Sequence, residues 1–172
     1  MAELPISYSH LTSPIGELLL ASSAAGLLAI RFEEEAKALP PSAEWRCEAE
    51  PFHEAIQQLR EYFAGKRLVF DLPLAPQGTP FQLKVWQALQ EIPYGETISY
   101  SELANRIGNP RAVRAVGAAN GSNPIPIIIP CHRVIGSNGA LVGYGGGLPI
   151  KKKLLALEKE HYAKTQAQRS LF

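Results

Sequence analysis

The stretch Leu72-Pro73-Leu74-Ala75-Pro76-Gln77-Gly78 constrains this chain most, because the sequence changes character across it. Prolines and a glycine so close together break both helix and ladder, and the stretch reads as a linker between two lobes. Ahead of it, residues 5–32 alternate short apolar runs with the turn residues Ser13-Pro14 and Ala25-Gly26, the pattern of an antiparallel hairpin or meander. Pro51 then opens an amphipathic helix carrying Phe52, Ile56, Leu59 and Phe63 at helical spacing and ending at Gly65. Behind the linker the signals are helical. Thr79-Pro80-Phe81-Gln82 offers an N-cap, a proline at the first position and a Gln placed for a capping box, before a helix through Val85, Trp86 and Leu89 that stops short of Pro93. Ser99-Tyr100-Ser101-Glu102 is another capping box, which sets Tyr100 in the first turn of a short helix that Gly108 can end. Asn109-Pro110 opens a third helix, Pro110 to Asn120, and two short helices joined in this way read as helix-turn-helix. A last helix from Pro149 to about Tyr162 is expected to turn Lys151, Lys152 and Lys153 outward and Leu154, Leu155 and Leu157 inward. The expected fold class is thus α/β of the α+β kind: domain 1–78 is an antiparallel sheet with a helix, and domain 79–172 is mostly helical.

The net charge of +1 conceals an asymmetry between these parts. Residues 1–78 carry 6 basic and 11 acidic side chains, whereas residues 79–172 carry 11 basic and 5 acidic. A basic C-terminal part points to a polyanion, since lysines and arginines that neutralise phosphates supply most nonspecific nucleic-acid affinity. A merely solvated basic face is the plainer alternative. The two cysteines, Cys47 in a polar stretch and Cys131 after an apolar run, do not read as a disulfide pair, and no CxxC or HExxH spacing announces a metal. Met1 to His10 lacks a basic region followed by an apolar core, and Leu18 to Ile30 is too short to span a bilayer, so a cytoplasmic protein is expected.

Pro130-Cys131-His132-Arg133-Val134 follows the apolar run Ile127-Ile128-Ile129, which reads as a buried strand. A free cysteine reacts as its thiolate and needs a base or a positive charge nearby at neutral pH; His132 and Arg133 are candidates for that help. Neighbouring strand residues point to opposite faces, so either the strand bends at Cys131 or water relays its proton to His132. On these residues alone, a cysteine that only fills space is an equal reading. The third helix is unusual in holding Ala112, Ala115, Gly117, Ala118 and Ala119 around Arg111 and Arg114. Small side chains let a backbone approach another surface closely, here either a minor groove or a neighbouring helix.

The run Asn120-Gly121-Ser122-Asn123-Pro124-Ile125-Pro126 leading to Pro130-Cys131-His132-Arg133-Val134, with Gly139, Tyr144-Gly145-Gly146-Gly147-Leu148 and Glu158 after it, resembles the O6-alkylguanine-DNA alkyltransferases, most closely their small bacterial stand-alone form. The likeness is continuous from about Thr79 to Glu158. Before that it rests on Ser13-Pro14-Ile15-Gly16 and Glu61-Tyr62-Phe63-Ala64-Gly65. The resemblance implies a ribonuclease H-like first lobe and a winged-helix-like second one. It also implies transfer of an alkyl group from O6-alkylguanine in double-stranded DNA, with O4-alkylthymine left open as a second substrate, to Cys131 in a single turnover without a cofactor. The nucleotide would be flipped out from the minor-groove side.

By the same resemblance Glu158 orients His132 in a relay of Cys131, water, His132 and Glu158. Tyr100 crowds the target phosphate and donates a proton to the departing base. Arg114 fills the gap in the stack, Arg111 meets a phosphate, and Ala115, Gly117 and Ala118 line the groove. Asn123 is the hinge that ties the recognition helix to the active-site segment. Pro126, Val134, Tyr144, Gly145 and Gly146 form the base pocket, where Gly145 stands in place of the serine of many relatives. A monomer is expected, with cooperative binding along DNA left open. Two rivals remain: a protein that recognises alkylated bases without transferring them, against which the presence of Cys131 speaks, and a thiol hydrolase using Cys131 and His132.

Overall fold

The turn Pro14-Ile15 folds the first strands onto each other, with Ser13 Oγ accepting from Ile15 N–H at 3.2 Å and donating to the Gly16 carbonyl at 2.6 Å. The computed structural model describes residues 5–32, 41–141, 144 and 147–170. Strands β1 (Ser7–Ser13), β2 (Gly16–Ser23) and β3 (Gly26–Phe32) form the expected antiparallel meander, and β4 (Arg46–Cys47) adds to β1 in parallel, giving the order β3-β2-β1-β4. Leu18, Leu19 and Leu20 on the inner strand β2 are wholly buried, because both faces of the sheet are covered. Helix α1 (His53–Phe63) packs against β1 and buries Ala55, Leu59 and Tyr62, spaced by four and three residues as one helix face requires.

The expected linker is not free chain. Leu27 N–H donates to the Pro73 carbonyl at 2.9 Å and Ala75 N–H to the Leu27 carbonyl at 2.8 Å, so its middle lies along the outer edge of β3. Prolines suit that place, since an edge strand can spare donors. Gly26 is required there: its φ is +142°, and a Cβ would stand 2.6 Å from the Pro73 carbonyl oxygen.

Residues 1–79 with 124–128 pack as one unit, and 80–123 with 129–172 as another. In the second unit, α2 (Pro80–Leu89) is followed by α3 (Tyr100–Arg106) and α4 (Val113–Gly121), the helix-turn-helix pair. Ser99 Oγ accepts from Glu102 N–H at 3.0 Å as the capping box predicts, and Gly108 leaves α3 with a φ of +78°. Helix α4 begins three residues later than expected, at Val113, without a side-chain cap. Pro110 and Arg111 lie in a turn, which Ala112 N–H closes onto the Asn109 carbonyl at 3.0 Å. A two-stranded parallel pair, β5 (Ile98–Ser99) and β6 (Val134–Ile135), ties the start of α3 to the chain behind Cys131. The final helix, α5 (Leu148–Arg169), runs well past Tyr162.

The strand expected at Ile127–Ile129 is absent: residues 126–128 form a turn in which Ile127 takes a φ of +74°. Pro124, Pro126 and Pro130 remove ladder donors from this stretch, so burial of Ile125, Ile127, Ile128 and Ile129 had to be achieved by packing alone. The apolar run signalled burial correctly but not its backbone form. A left-handed isoleucine costs on the order of 1–3 kcal/mol and persists only where the surroundings enforce it.

Candidate active site and nucleic-acid face

Cys131–Arg133 is a 3₁₀ turn, and this removes the opposition between neighbouring strand positions. Successive residues of such a turn fan out by about 120° instead of opposing one another, and the turn is enclosed on all sides, leaving Cys131, His132 and Arg133 only 5%, 0% and 6% exposed. The turn is anchored by amides on both sides of Ser122. Asn123 Nδ2 donates to the Ile129 carbonyl at 2.7 Å, and Asn120 Nδ2 lies 3.4 Å from the Cys131 carbonyl.

Glu158 sits beneath the turn, on the buried face of α5 and 1% exposed. His132 Nε2 is 2.6 Å from its Oε2, and Arg133 grips both oxygens, Nε to Oε1 at 2.8 Å and Nη2 to Oε2 at 3.0 Å. Burial alone would raise the Glu158 pKa, but His132 and Arg133 together outweigh it and hold the carboxyl well below the usual carboxylate range. For His132 burial dominates and lowers the pKa, assisted by Arg133 and Lys151 against the pull of Glu158. The resting pair is therefore a carboxylate accepting from a neutral imidazole. Nε2 is committed to Glu158, and Nδ1 is buried with no protein hydrogen-bond partner among the described residues.

Burial pushes the Cys131 thiol up to about 11, although Asn123, Lys151, its own backbone and Tyr144 each draw it down. At neutral pH the sulfur is a thiol, which must lose its proton as it reacts.

Lys151 corrects the sequence reading. It does not face solvent with Lys152 and Lys153 but is wholly buried, its Nζ 2.6 Å from the Val134 carbonyl and 6.0 Å from the centre of the Tyr100 ring. Burial lowers its pKa and Cys131 opposes that shift. Lys151, Leu154 and Glu158 recur at helical spacing on the one buried face of α5, a pattern that the LysLysLys run hid. Asn120, Tyr94 and the carboxylate-binding role of Arg133 also escaped the sequence reading, because each depends on contacts far along the chain.

On α4 the exposed side chains are Arg114, Ala115 and Ala118, with Arg111 exposed in the preceding turn, while Val116, Ala119 and Asn120 are buried. Trp86 Nε1–H donates to the Ala119 carbonyl at 2.8 Å and fixes the helix from behind. The Tyr100 ring lies beside Gly117, where a Cβ would meet it at ordinary contact distances of 3.9 and 4.0 Å. Tyr100 is half-buried at the start of α3. Its pKa is raised by burial and by Cys131, against a hydrogen bond from the Asn120 side chain. The turn, α4 and Tyr100 thus bring a thiol, a base and a smooth face bearing Arg114 into one unit.

The pocket residues are less uniform. Val134 is buried with its carbonyl on Lys151, Tyr144 helps draw the Cys131 pKa down, and Pro126 is buried in the turn that packs with the first unit. Gly145 and Gly146 lie outside the described residues. Cys47 is exposed and Cys131 buried, both unbridged. Among the described residues no His, Cys, Asp and Glu side chains gather in a metal-binding group, and no helix is long and apolar enough to cross a membrane.

Residues 80–160 match the family model described as 6-O-methylguanine DNA methyltransferase, DNA binding domain, and residues 6–76 match the one described as its ribonuclease-like domain. The methylated-DNA--protein-cysteine methyltransferase of Methanosarcina acetivorans is 54% identical over 151 residues, which span 88% of this chain and 97% of that protein. The enzyme of the same name from Mycolicibacterium paratuberculosis is 51% identical over 156 residues, 91% of this chain and 94% of its own. The crystal structure of Mycobacterium tuberculosis OGT in complex with DNA superposes with a TM-score of 0.84 at 50% identity, covering 90% of this chain and 94% of that one.

Proposed function

Since the chain belongs to the 6-O-methylguanine DNA methyltransferase family, we propose that it repairs double-stranded DNA by moving the alkyl group of O6-alkylguanine onto its own Cys131. The observation that carries this reading is the buried thiol on a turn whose next two residues are held by one carboxylate. The sulfur forms a bond to the alkyl carbon as the bond from that carbon to guanine O6 breaks. His132, reached through water, takes the thiol proton, and Tyr100 donates to the departing base. Proton return from His132 leaves S-alkylcysteine and a normal guanine, with the thiol proton transferred overall to the base. A thioether offers no good leaving group, so each molecule acts once and needs no cofactor.

The DNA contact is assigned to α4. Ala115, Gly117 and Ala118 lie along the minor groove, Arg111 meets a phosphate, and Arg114 enters the stack in place of the flipped nucleotide. Asn123 acts as the hinge between α4 and the turn, and Val134 and Tyr144 frame the extruded base. A free, unbridged thiol suits a reducing compartment, which favours the cytoplasm.

Mass analysis after exposure to excess duplex carrying O6-methylguanine tests the reading: one methyl per protein, on Cys131, is expected. Repeated turnover, or a methyl on Cys47 with Cys131 untouched, would overturn it. Binding of the duplex without any adduct would instead mark a protein that only recognises the lesion. A further expectation concerns Arg114→Ala. If Arg114 supplies ~1.4 kcal/mol of the few kcal/mol that unstacking costs, its loss slows repair of duplex about tenfold while sparing reaction with the free modified base. Equal losses on both substrates would assign Arg114 to the fold.

A further inference from the structure

Two donors, one imidazole and one guanidinium, share one carboxylate in this site. Glu158 Oε2 is shared between His132 Nε2 at 2.6 Å and Arg133 Nη2 at 3.0 Å, and Oε1 is held by Arg133 Nε at 2.8 Å. The third guanidinium nitrogen donates to the Ile92 carbonyl at 2.7 Å, and the group lies 5.6 Å from the centre of the Tyr94 ring. The guanidinium is thus fixed in place. A buried carboxylate facing histidine alone would draw a proton onto the ring, because a lone charge out of water is far costlier than an ion pair. With Arg133 in the fork, that pair already exists, and a proton on His132 would add a second cation to it.

The titratable groups around the ring leave the same balance. Helix α5 contributes Glu158 and Lys151, the turn itself Cys131 and Arg133, the chain before β5 Tyr94, and α3 Tyr100. Cys131, with its pKa pushed up to about 11, and Tyr94, pushed up to about 12, are neutral at physiological pH. One anion, Glu158, therefore stands against Arg133 and Lys151, and both of these oppose a charge on His132.

We propose that Arg133 is a positioning residue: by neutralising Glu158 it keeps His132 as the neutral tautomer with its proton on Nε2, leaving Nδ1 open to receive the proton of Cys131. This rests on the alkyl transfer proposed above. The role differs from direct activation of the thiol by a neighbouring positive charge, since Arg133 spends its donors on Glu158 and Ile92. It also explains why a carboxylate this close to a histidine does not lock it as imidazolium before the substrate arrives.

The test is the pH profile of single-turnover methyl transfer from O6-methylguanine duplex by the full chain, its Arg133→Met variant and its Arg133→Lys variant. Arg133→Met should move the acid-side midpoint upward by about one pH unit or more, giving about a tenfold deficit in mild acid that closes as the pH rises. Arg133→Lys keeps the charge and should stay closer to the parent midpoint. A loss equal at every pH would overturn the proposal, because that is the signature of a damaged fold. Should Arg133→Met not fold, nitrogen NMR of the parent protein decides: His132 should be neutral with Nε2 protonated from about pH 5.5 to 8, and an imidazolium at neutral pH would overturn the idea. Failure of the parent protein to transfer methyl at any pH would fall on the proposed function, not on Arg133.

Discussion

Cys131→Ser is expected to reduce alkyl transfer by about 10⁴-fold or more, the order of loss when a nucleophile is removed, while duplex binding stays within about twofold. In the proposed reaction the sulfur is the atom that accepts the alkyl group, so no neighbouring residue substitutes for it. A serine hydroxyl at this position would be harder still to deprotonate, since the burial that pushes the thiol to about 11 acts on any acid there. The exposed α4 face proposed to meet DNA does not include residue 131, which is 5% exposed. Mass analysis for the adduct and fluorescence anisotropy on methylated duplex check the two halves. A serine variant that still acquires one methyl would place the acceptor elsewhere.

Glu158→Gln is the second large effect, and it falls on stability as well as rate. Removing the charge leaves Arg133 buried with a neutral partner, and breaking a buried pair in this way costs about 3–5 kcal/mol. For a chain of this size that is a fall in melting temperature of roughly 10 °C. The pH dependence follows from the direction of each shift. Glu158 is depressed in the folded state, so its contribution is complete above its unfolded value of about 4.3 and is lost only as the pH falls through the lower native value. The gap between parent and variant should hold constant from mildly acidic to alkaline pH. His132 acts in another window. Its folded pKa is lowered, so the unfolded chain binds more protons just below about 6.5, and the parent protein loses stability as the pH falls through that value. Urea unfolding across this range measures both; a gap that closes near neutrality would mean that Glu158 is not the depressed group.

Local chemistry was legible in the sequence wherever a residue answers its neighbours. Ser99 caps α3, Gly108 ends it, and Ala115 and Ala118 of α4 lie on an exposed face. Position along the chain was less informative where the answer comes from afar. Ile127–Ile129 was apolar enough for a strand, yet with prolines on either side it had no ladder to join. The three lysines of α5 looked alike, although Lys151 alone falls in register with Glu158 and meets the Val134 carbonyl. The site shows the same division. Cys131, His132 and Glu158 were marked by resemblance, but the fork of Arg133 on Glu158 requires a turn that the apolar run disguised as a strand.

The short segment 124–128 has a consequence for how the protein is made. It packs with residues 1–79, and the Pro124 carbonyl accepts from Ile30 N–H at 2.9 Å on β3. The polypeptide therefore leaves the first unit, builds the helix-turn-helix pair, and returns before reaching Cys131. On the ribosome, at ~5–20 residues/s, the first unit waits roughly 2–9 s for its last piece after residue 79 has been added. Neither unit is a contiguous stretch that a simple truncation could release. A fragment beginning at Pro80 would carry Ile125, Ile127 and Ile128 without the partners that bury them, and should aggregate rather than work as an independent domain.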